Sequence, residues 1–241
     1  MTATRLDIHN SDVPVLCQSC EARHRGMCGV LNATELLELS KHTRVVRETP
    51  GAELAAEAMP IETYANVMRG VVKLSKVLED GRQQIVGLQF APDFLGRLFT
   101  AESAVTAEAA SDVDLCKVPR RALERLIADN PALEHRLMQQ TLRELDEARD
   151  WMMTLGRKTA AEKVASFLIL VASHIDPATD GKPGLTFELP MSRADIADFL
   201  GLTIETVSRQ LSKLRAERLI AITNNRRVEI LNLRALQSRC G

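Results

Sequence analysis

The sequence predicts an α+β fold in which an N-terminal antiparallel β-roll, one long helix and a C-terminal winged helix-turn-helix follow one another. Three observations carry this. Residues 43–119 hold short β-like runs separated by turn signals. Residues 130–155 repeat apolar and small side chains at helical spacing. Residues 192–215 contain two short helical patterns, each opened by a hydroxyl residue, that meet at Gly201.

The composition supports more than one domain. The chain has 241 residues and is 45% hydrophobic, enough for a sizeable core and comfortable for two domains. No run of about 18 apolar residues occurs, so no membrane span is expected. The opening stretch MTATRLDIHNSDVPV lacks the apolar core of a signal peptide. A cytoplasmic protein with no membrane partner is therefore expected. The net charge of −1 hides an asymmetry: residues 190–241 carry nine Lys/Arg against five Asp/Glu, so the remainder is acidic. A basic module on an acidic body fits a nucleic-acid reader that does not adhere to DNA everywhere.

Taken in order, the chain begins with a cysteine cluster. Cys17, Cys20 and Cys28 fall within CQSCEARHRGMC, Cys116 stands far along the chain, and Cys240 is next to its end. In a cytosolic chain such clustering points to metal ligation rather than disulfides. The C-x2-C pair lets two thiolates meet one centre, and the loop to Cys28 returns a third. Arg23, His24 and Arg25 in that loop offset thiolate charge. Spacing alone leaves zinc, an iron–sulfur cluster and free thiols all open.

A short helix is predicted over 34–41. The strands follow, at 64–68, 71–78, 84–90 and 113–118, with Asp80-Gly81 as a hairpin turn. Cys116 lies near the end of the last strand, where a ligand would tie the cysteine loop to the roll. Asn130-Pro131 starts the long helix, with a cap and a proline at its first position. Met138, Thr141, Leu145, Ala148, Met152 and Leu155 form a heptad seam along it, read either as a dimer interface or as an ordinary packed face. Gly156-Arg157-Lys158 reads as a hinge. Thr159 and Glu162 form a capping box that opens an apolar helix ended by Asp176-Pro177, and a loop at 176–184 follows. A strand at 185–189 then leads into the helix-turn-helix.

There Ser192 caps the first helix, Gly201 ends it and Thr203 caps the second. Val207, Leu211 and Leu214 face inward, leaving Glu205, Ser208 and Arg209 on the opposite face in the first two turns. That is the end of a recognition helix that reaches base edges. Arginine donates two bonds to guanine, and glutamate accepts from the cytosine amino group. Beyond it, 219–222 and 228–231 flank an Asn-Asn turn. This is a wing whose Arg226 and Arg227 are placed for phosphates. The predicted organisation is a cysteine loop at 1–32, the β-roll at 33–129, the long helix and hinge at 130–158, and the winged helix-turn-helix at 159–241.

This order resembles the Crp–Fnr superfamily of bacterial transcription regulators, and within it the oxygen-sensing fumarate and nitrate reduction regulator group. Glu205-x-x-Ser208-Arg209 and Cys17-x2-Cys20-x7-Cys28 with the distant Cys116 carry the resemblance, together with GRQQIVGLQFAPDFLGR at 81–97. The resemblance implies that the β-roll is a sensor domain and the long helix a dimerisation helix. It implies a [4Fe-4S] cluster on Cys17, Cys20, Cys28 and Cys116 that favours a homodimer. The dimer binds promoter DNA at a palindrome with TTGAT-like half-sites, and oxygen destroys the cluster and releases it. The x7 gap is longer than in some members, which bears on the cluster's exposure and oxygen sensitivity.

The family also implies a contact with RNA polymerase, for which the 79–82 turn is a candidate. Cousins bind cAMP in the β-roll through an arginine followed by a small polar residue. Here the comparable stretch, 101–106, has no arginine before Ser103 and offers Glu102 instead, so cAMP is not expected. A phosphate-binding glycine loop, HExxH and GxSxG are all missing from the sequence, so no enzyme is expected.

Overall fold

The computed structural model describes residues 13–18, 20–175 and 185–241. The N-terminal end of the predicted cysteine segment lies outside them, and so do the whole Asp176-Pro177 stop and the loop at 176–184. The chain divides into two compact units. One comprises the chain through Lys76 with Gly87–Asp146; the other comprises Val77–Val86 with Glu147–Gly241.

In the first unit, short helices α1 (Val15–Gln18) and α2 (Glu21–His24) and a 3-10 turn (Met27–Val30) carry the clustered cysteines. Helix α3 (Ala33–Ser40) follows, one residue ahead of the predicted 34–41. Asn32 accepts from Glu35 N at 3.0 Å while the Glu35 carboxylate accepts from Asn32 N at 2.8 Å, closing a capping box. Eight strands come next: β1 (Arg44–Glu48), β2 (Glu53–Ala55), β3 (Thr63–Arg69), β4 (Val71–Val77), β5 (Gln83–Phe90), β6 (Phe94–Leu95), β7 (Thr106–Ala109) and β8 (Val113–Pro119). They form two antiparallel four-stranded sheets, ordered β1-β8-β3-β6 and β2-β7-β4-β5. The four predicted strands are β3, β4, β5 and β8. The other four are short or built from small and charged residues, as in Thr106-Ala-Glu-Ala109, and carry little periodic signal.

Helix α4 (Arg120–Asp129) is also additional to the sequence reading. Its buried Leu123 and Ile127 stand four residues apart, the spacing of one helical face. The long helix α5 runs over Pro131–Arg157, 27 residues. The expected hinge is shorter than predicted. The helix continues through Gly156, and the break falls at Lys158-Thr159, before α6 (Ala160–Ile175). Gly156 does not adopt a positive φ, and a glycine in helical φ/ψ lowers helix propensity without ending the helix. What starts α6 is Thr159, whose N–H donates to Glu162 Oε2 at 2.7 Å.

One core cluster explains how the cysteine segment is held. Met27, Cys28 and Leu31 pack with Leu36 and Leu39 of α3, Tyr64, Phe94, Leu123 of α4, and Leu133 and Leu137 of α5. Met27 and Leu133 are fully buried. Burying each side chain of that size stabilises by about 1.5–3 kcal/mol before entropy is counted. Met27, Cys28 and Leu31 are therefore part of the unit's interior.

In the second unit, β9 (Leu185–Glu188) precedes α7 (Arg193–Leu200), α8 (Ile204–Ala216), β10 (Ile220–Thr223), β11 (Arg227–Ile230) and α9 (Leu233–Gln237). Strands β10, β11 and β9 form an antiparallel sheet in that order. Ser192 closes a capping box with Asp195. Gly201 sits at φ +60°, the left-handed conformation that ends α7 and that a β-carbon would strain. The buried Lys163 of α6 donates to Leu200 O at 3.2 Å, so a cation satisfies the last turn of α7. Ile196, Leu200, Val207 and Leu211 are buried, as are Phe167 and Leu168 of α6.

Candidate functional site

The reading face is built from α8. Thr203 accepts from Thr206 N at 3.2 Å and caps the helix. Val207, Leu211 and Leu214 are buried, which turns Glu205 and Arg209 to solvent with Ser208 half-exposed between them. The structure adds Thr206. Its hydroxyl lies 3.1 Å from that of Thr203 and accepts from Arg209 Nη2 at 3.3 Å, steadying the guanidinium near the start of the helix. The i, i+3 spacing of Thr203, Thr206 and Arg209 carried that signal in the sequence. The Glu205 carboxyl is held below its ordinary pKa by its own backbone N–H and by the Thr203 side chain. It is thus an ionised acceptor at neutral pH.

At the wing, Asn224 and Asn225 take φ of 51° and 58°, as a tight hairpin turn requires. The peptide of Arg226 is fixed on both sides: its N donates to Thr223 O at 3.2 Å and its O accepts from Leu189 N at 2.8 Å. Arg227 begins β11 opposite Glu188 of β9. Both arginines are exposed.

The four cysteines stand on different elements. Cys17 ends a turn of α1, Cys20 is the N-cap of α2, Cys28 lies in the 3-10 turn, and Cys116 sits within β8 opposite Val45 and Asn66. The buried Asn66 links two of them: it neighbours Cys116 across the sheet, and its Nδ2 donates to Cys28 Sγ at 3.9 Å. Burial pushes the Cys28 thiol well up, and the charges of Cys20, Cys116 and Cys17 push it further. Burial, with Cys20 and Cys17, likewise raises Cys116 to about 11, against a hydrogen bond from the Thr43 side chain. Cys17 is raised by burial and by Cys20, with Arg23 opposing. The buried Nε2 of His24 and Oδ1 of Asn66 have no hydrogen-bond partner. All the cysteines are free thiols. Among the described residues no group of three or more His, Cys, Asp or Glu is gathered to hold a metal ion. The donor set itself, four thiols without a carboxylate, fits an iron–sulfur centre or zinc.

Along α5, Met138, Thr141, Leu145, Ala148 and Met152 of the predicted seam are exposed and Leu155 is half-buried. Leu142 and Met153, at 55% and 57% exposure, widen the apolar stripe beyond what the heptad reading gave. Leu133 and Leu137 are buried.

Between the β-roll and the first half of α5 lies an open cavity of about 1050 Å³ with apolar walls that include Leu54, Leu74 and Phe94. Glu53, Glu62, Glu134 and Glu144 outnumber Arg97 and Lys117 around it. Ser103, where an anionic ligand would need a donor, spends its hydroxyl on Val105 O at 2.6 Å.

Comparisons with known proteins agree with this architecture. A Crp-like helix-turn-helix domain matches residues 162–239, and a cyclic nucleotide-binding domain matches residues 46–130. The chain is 50% identical over 237 residues to a probable transcriptional activator of Rhizobium leguminosarum bv. viciae, covering 98% of each chain. It is 36% identical to the transcriptional activator protein FnrL of Cereibacter sphaeroides, covering 95% of each. Among solved structures, FixK2 from Bradyrhizobium japonicum superposes with a TM-score of 0.74 at 34% identity, over 83% of this chain and 98% of that one. The exposed, doubly capped α8 and the wing beside it are the parts by which such regulators read DNA. With relatives this similar over nearly its whole length, the chain belongs to the Crp–Fnr superfamily, in its FNR-type group: a DNA-binding transcriptional activator and not an enzyme.

Proposed function

We propose that this chain is an oxygen-responsive activator that holds a [4Fe-4S] cluster on Cys17, Cys20, Cys28 and Cys116 and binds promoter DNA as a homodimer in the cytoplasm. The observation that carries this reading is Asn66, which stands opposite Cys116 on β8 and donates to Cys28 Sγ, bringing the cysteine segment to the strand that bears the distant fourth cysteine. Burial and mutual repulsion keep Cys28 and Cys116 protonated in the metal-free chain at neutral pH. A cationic centre would reverse that, releasing their protons and gathering the segment on β8. When bound, the cluster supplies an oxygen-labile centre that takes one thiolate per iron. The Asn66 amide, aimed at Cys28 Sγ, is a donor that tunes such a sulfur.

The remaining steps belong to the chain. Cysteines held at one centre order the packed segment against α5. The exposed stripe from Met138 to Met152 is then covered by the same stripe of a second copy. Two copies present two α8 helices, spaced about one turn of DNA, or 34 Å, apart, to a palindrome with TTGAT-like half-sites. In oxygen the thiolates lose their common centre, the segment loosens, and the pair releases DNA. The β-roll cavity is not read as a cAMP site, because carboxylates outnumber cations around it and phosphate would be repelled.

RNA polymerase is the further partner in this reading, met through the exposed 79–82 turn. Asp80 pairs there with Arg82 Nε at 2.8 Å. Activation that persists after both are replaced, with DNA binding unchanged, removes that contact.

The test is metal analysis of anoxically purified protein. About four irons and four sulfides per chain are expected. Cys20→Ser or Cys116→Ser abolishes retention, whereas Cys240→Ser does not. Zinc or empty thiols after careful anoxic work would leave the DNA-binding assignment standing and remove the proposed signal.

A further inference from the structure

We propose that Arg136 is the positioning residue that couples the cysteine segment to the long helix, so that ordering of the segment sets the outer face of α5. This rests on the cysteine reading above. Arg136 lies in the second turn of α5. Its Nε donates to Gly26 O at 3.2 Å, and its Nη2 donates to Arg25 O. Those carbonyls belong to the turn between Cys20 and Cys28. One planar guanidinium therefore grips the backbone between two of the four cysteines, close to Cys28, with a directionality that apolar packing lacks.

The gripped turn is close-packed. A β-carbon at Gly26 would stand 2.8 Å from Ala22 Cα and 3.0 Å from Pro92 O. Beside it, Met27 and Cys28 pack against Leu133 and Leu137, one helical turn apart on the inner face of α5. A second tie closes the frame. Asn130 Nδ2 donates to Glu35 Oε1 at 2.8 Å, and Asn130 Oδ1 accepts from Leu133 N at 3.0 Å. The helix after the cysteine segment and the long helix thus share a cap. Met138 and Thr141 of the exposed stripe lie two and five residues beyond Arg136, so the rotation that Arg136 sets is the rotation at which the stripe begins.

The experiment compares the parent with Arg136→Ala and Arg136→Lys, all purified anoxically. Iron and sulfide per chain, circular dichroism, and the dimer dissociation constant by sedimentation are measured with metal bound and after its removal. The expected result is that Arg136→Ala keeps the parent's iron, sulfide and fold. The change in dimer dissociation constant on metal loss nonetheless shrinks by about tenfold or more, the size of a lost charge-assisted hydrogen bond. Arg136→Lys, which keeps the charge, recovers part of it. Hydrogen exchange across residues 20–31 is faster in Arg136→Ala. An unchanged shift in Arg136→Ala overturns the proposal. So does loss of iron in that variant, which would make Arg136 part of the metal holder. A parent without iron fails the cysteine reading first, and is distinguished by that measurement from failed coupling in an iron-loaded parent.

Discussion

Arg209 shows how much one side chain decides. Its exposed guanidinium leans on Thr206, near the end of α8 that meets base edges. Replacing Arg209 with alanine is expected to weaken binding to the preferred half-site by about 1–3 kcal/mol and to relax preference at one base pair. Arg226 of the wing has a different role. Arg226→Ala is expected to weaken all sequences alike and to lower the salt slope by about one. Titrations against a matched and a mismatched duplex at several salt concentrations separate the two, and a uniform loss for Arg209→Ala contradicts the assignment. Glu205, Ser208 and Arg209 were legible because helical periodicity alone puts them opposite Val207 and Leu211. Asn66 was not. Its meeting with Cys28 joins residues 38 apart in sequence and depends on a strand register that no local pattern reports.

Among the elements, α5 carries the most weight. Its inner residues Leu133 and Leu137 belong to a core with the cysteine segment, while Met138, Leu142, Leu145 and Met152 stand uncovered within the single chain. An apolar stripe of this kind is covered in solution by something, and its heptad spacing suits a second copy. Leu145→Glu places like charges face to face in that pairing. It is expected to leave a monomer by sedimentation under anoxia with iron content unchanged; a dimer as tight as the parent's would place the interface elsewhere. The start of α5 was plain from Asn130-Pro131, because cap and proline act locally. Its end was misplaced, because Gly156 looks like a stop signal and yet is accommodated in helical conformation. Strands β2 and β7 were missed for a related reason. Their alanines and glutamates are defined by partners across the sheet, and side-chain alternation hardly marks them.

For the whole molecule, the order of parts was readable and their connections were not. Caps, glycine turns and periodicity are properties of short stretches, and each acted where it stood, from Ser192 to the Asn224-Asn225 wing. The fork from Arg136 to the cysteine turn and the shared cap at Asn130 join residues about 100 positions apart, and only the folded chain brings them together. The central claim is that occupancy of the four cysteines governs DNA binding. It is tested most directly on one anoxic sample, by measuring operator affinity together with iron and sulfide content before and after admitting air. The account predicts that iron, sulfide and tight binding are lost together, and that Cys116→Ser binds weakly from the start. Binding that stays equally tight in air after the iron has gone would contradict it.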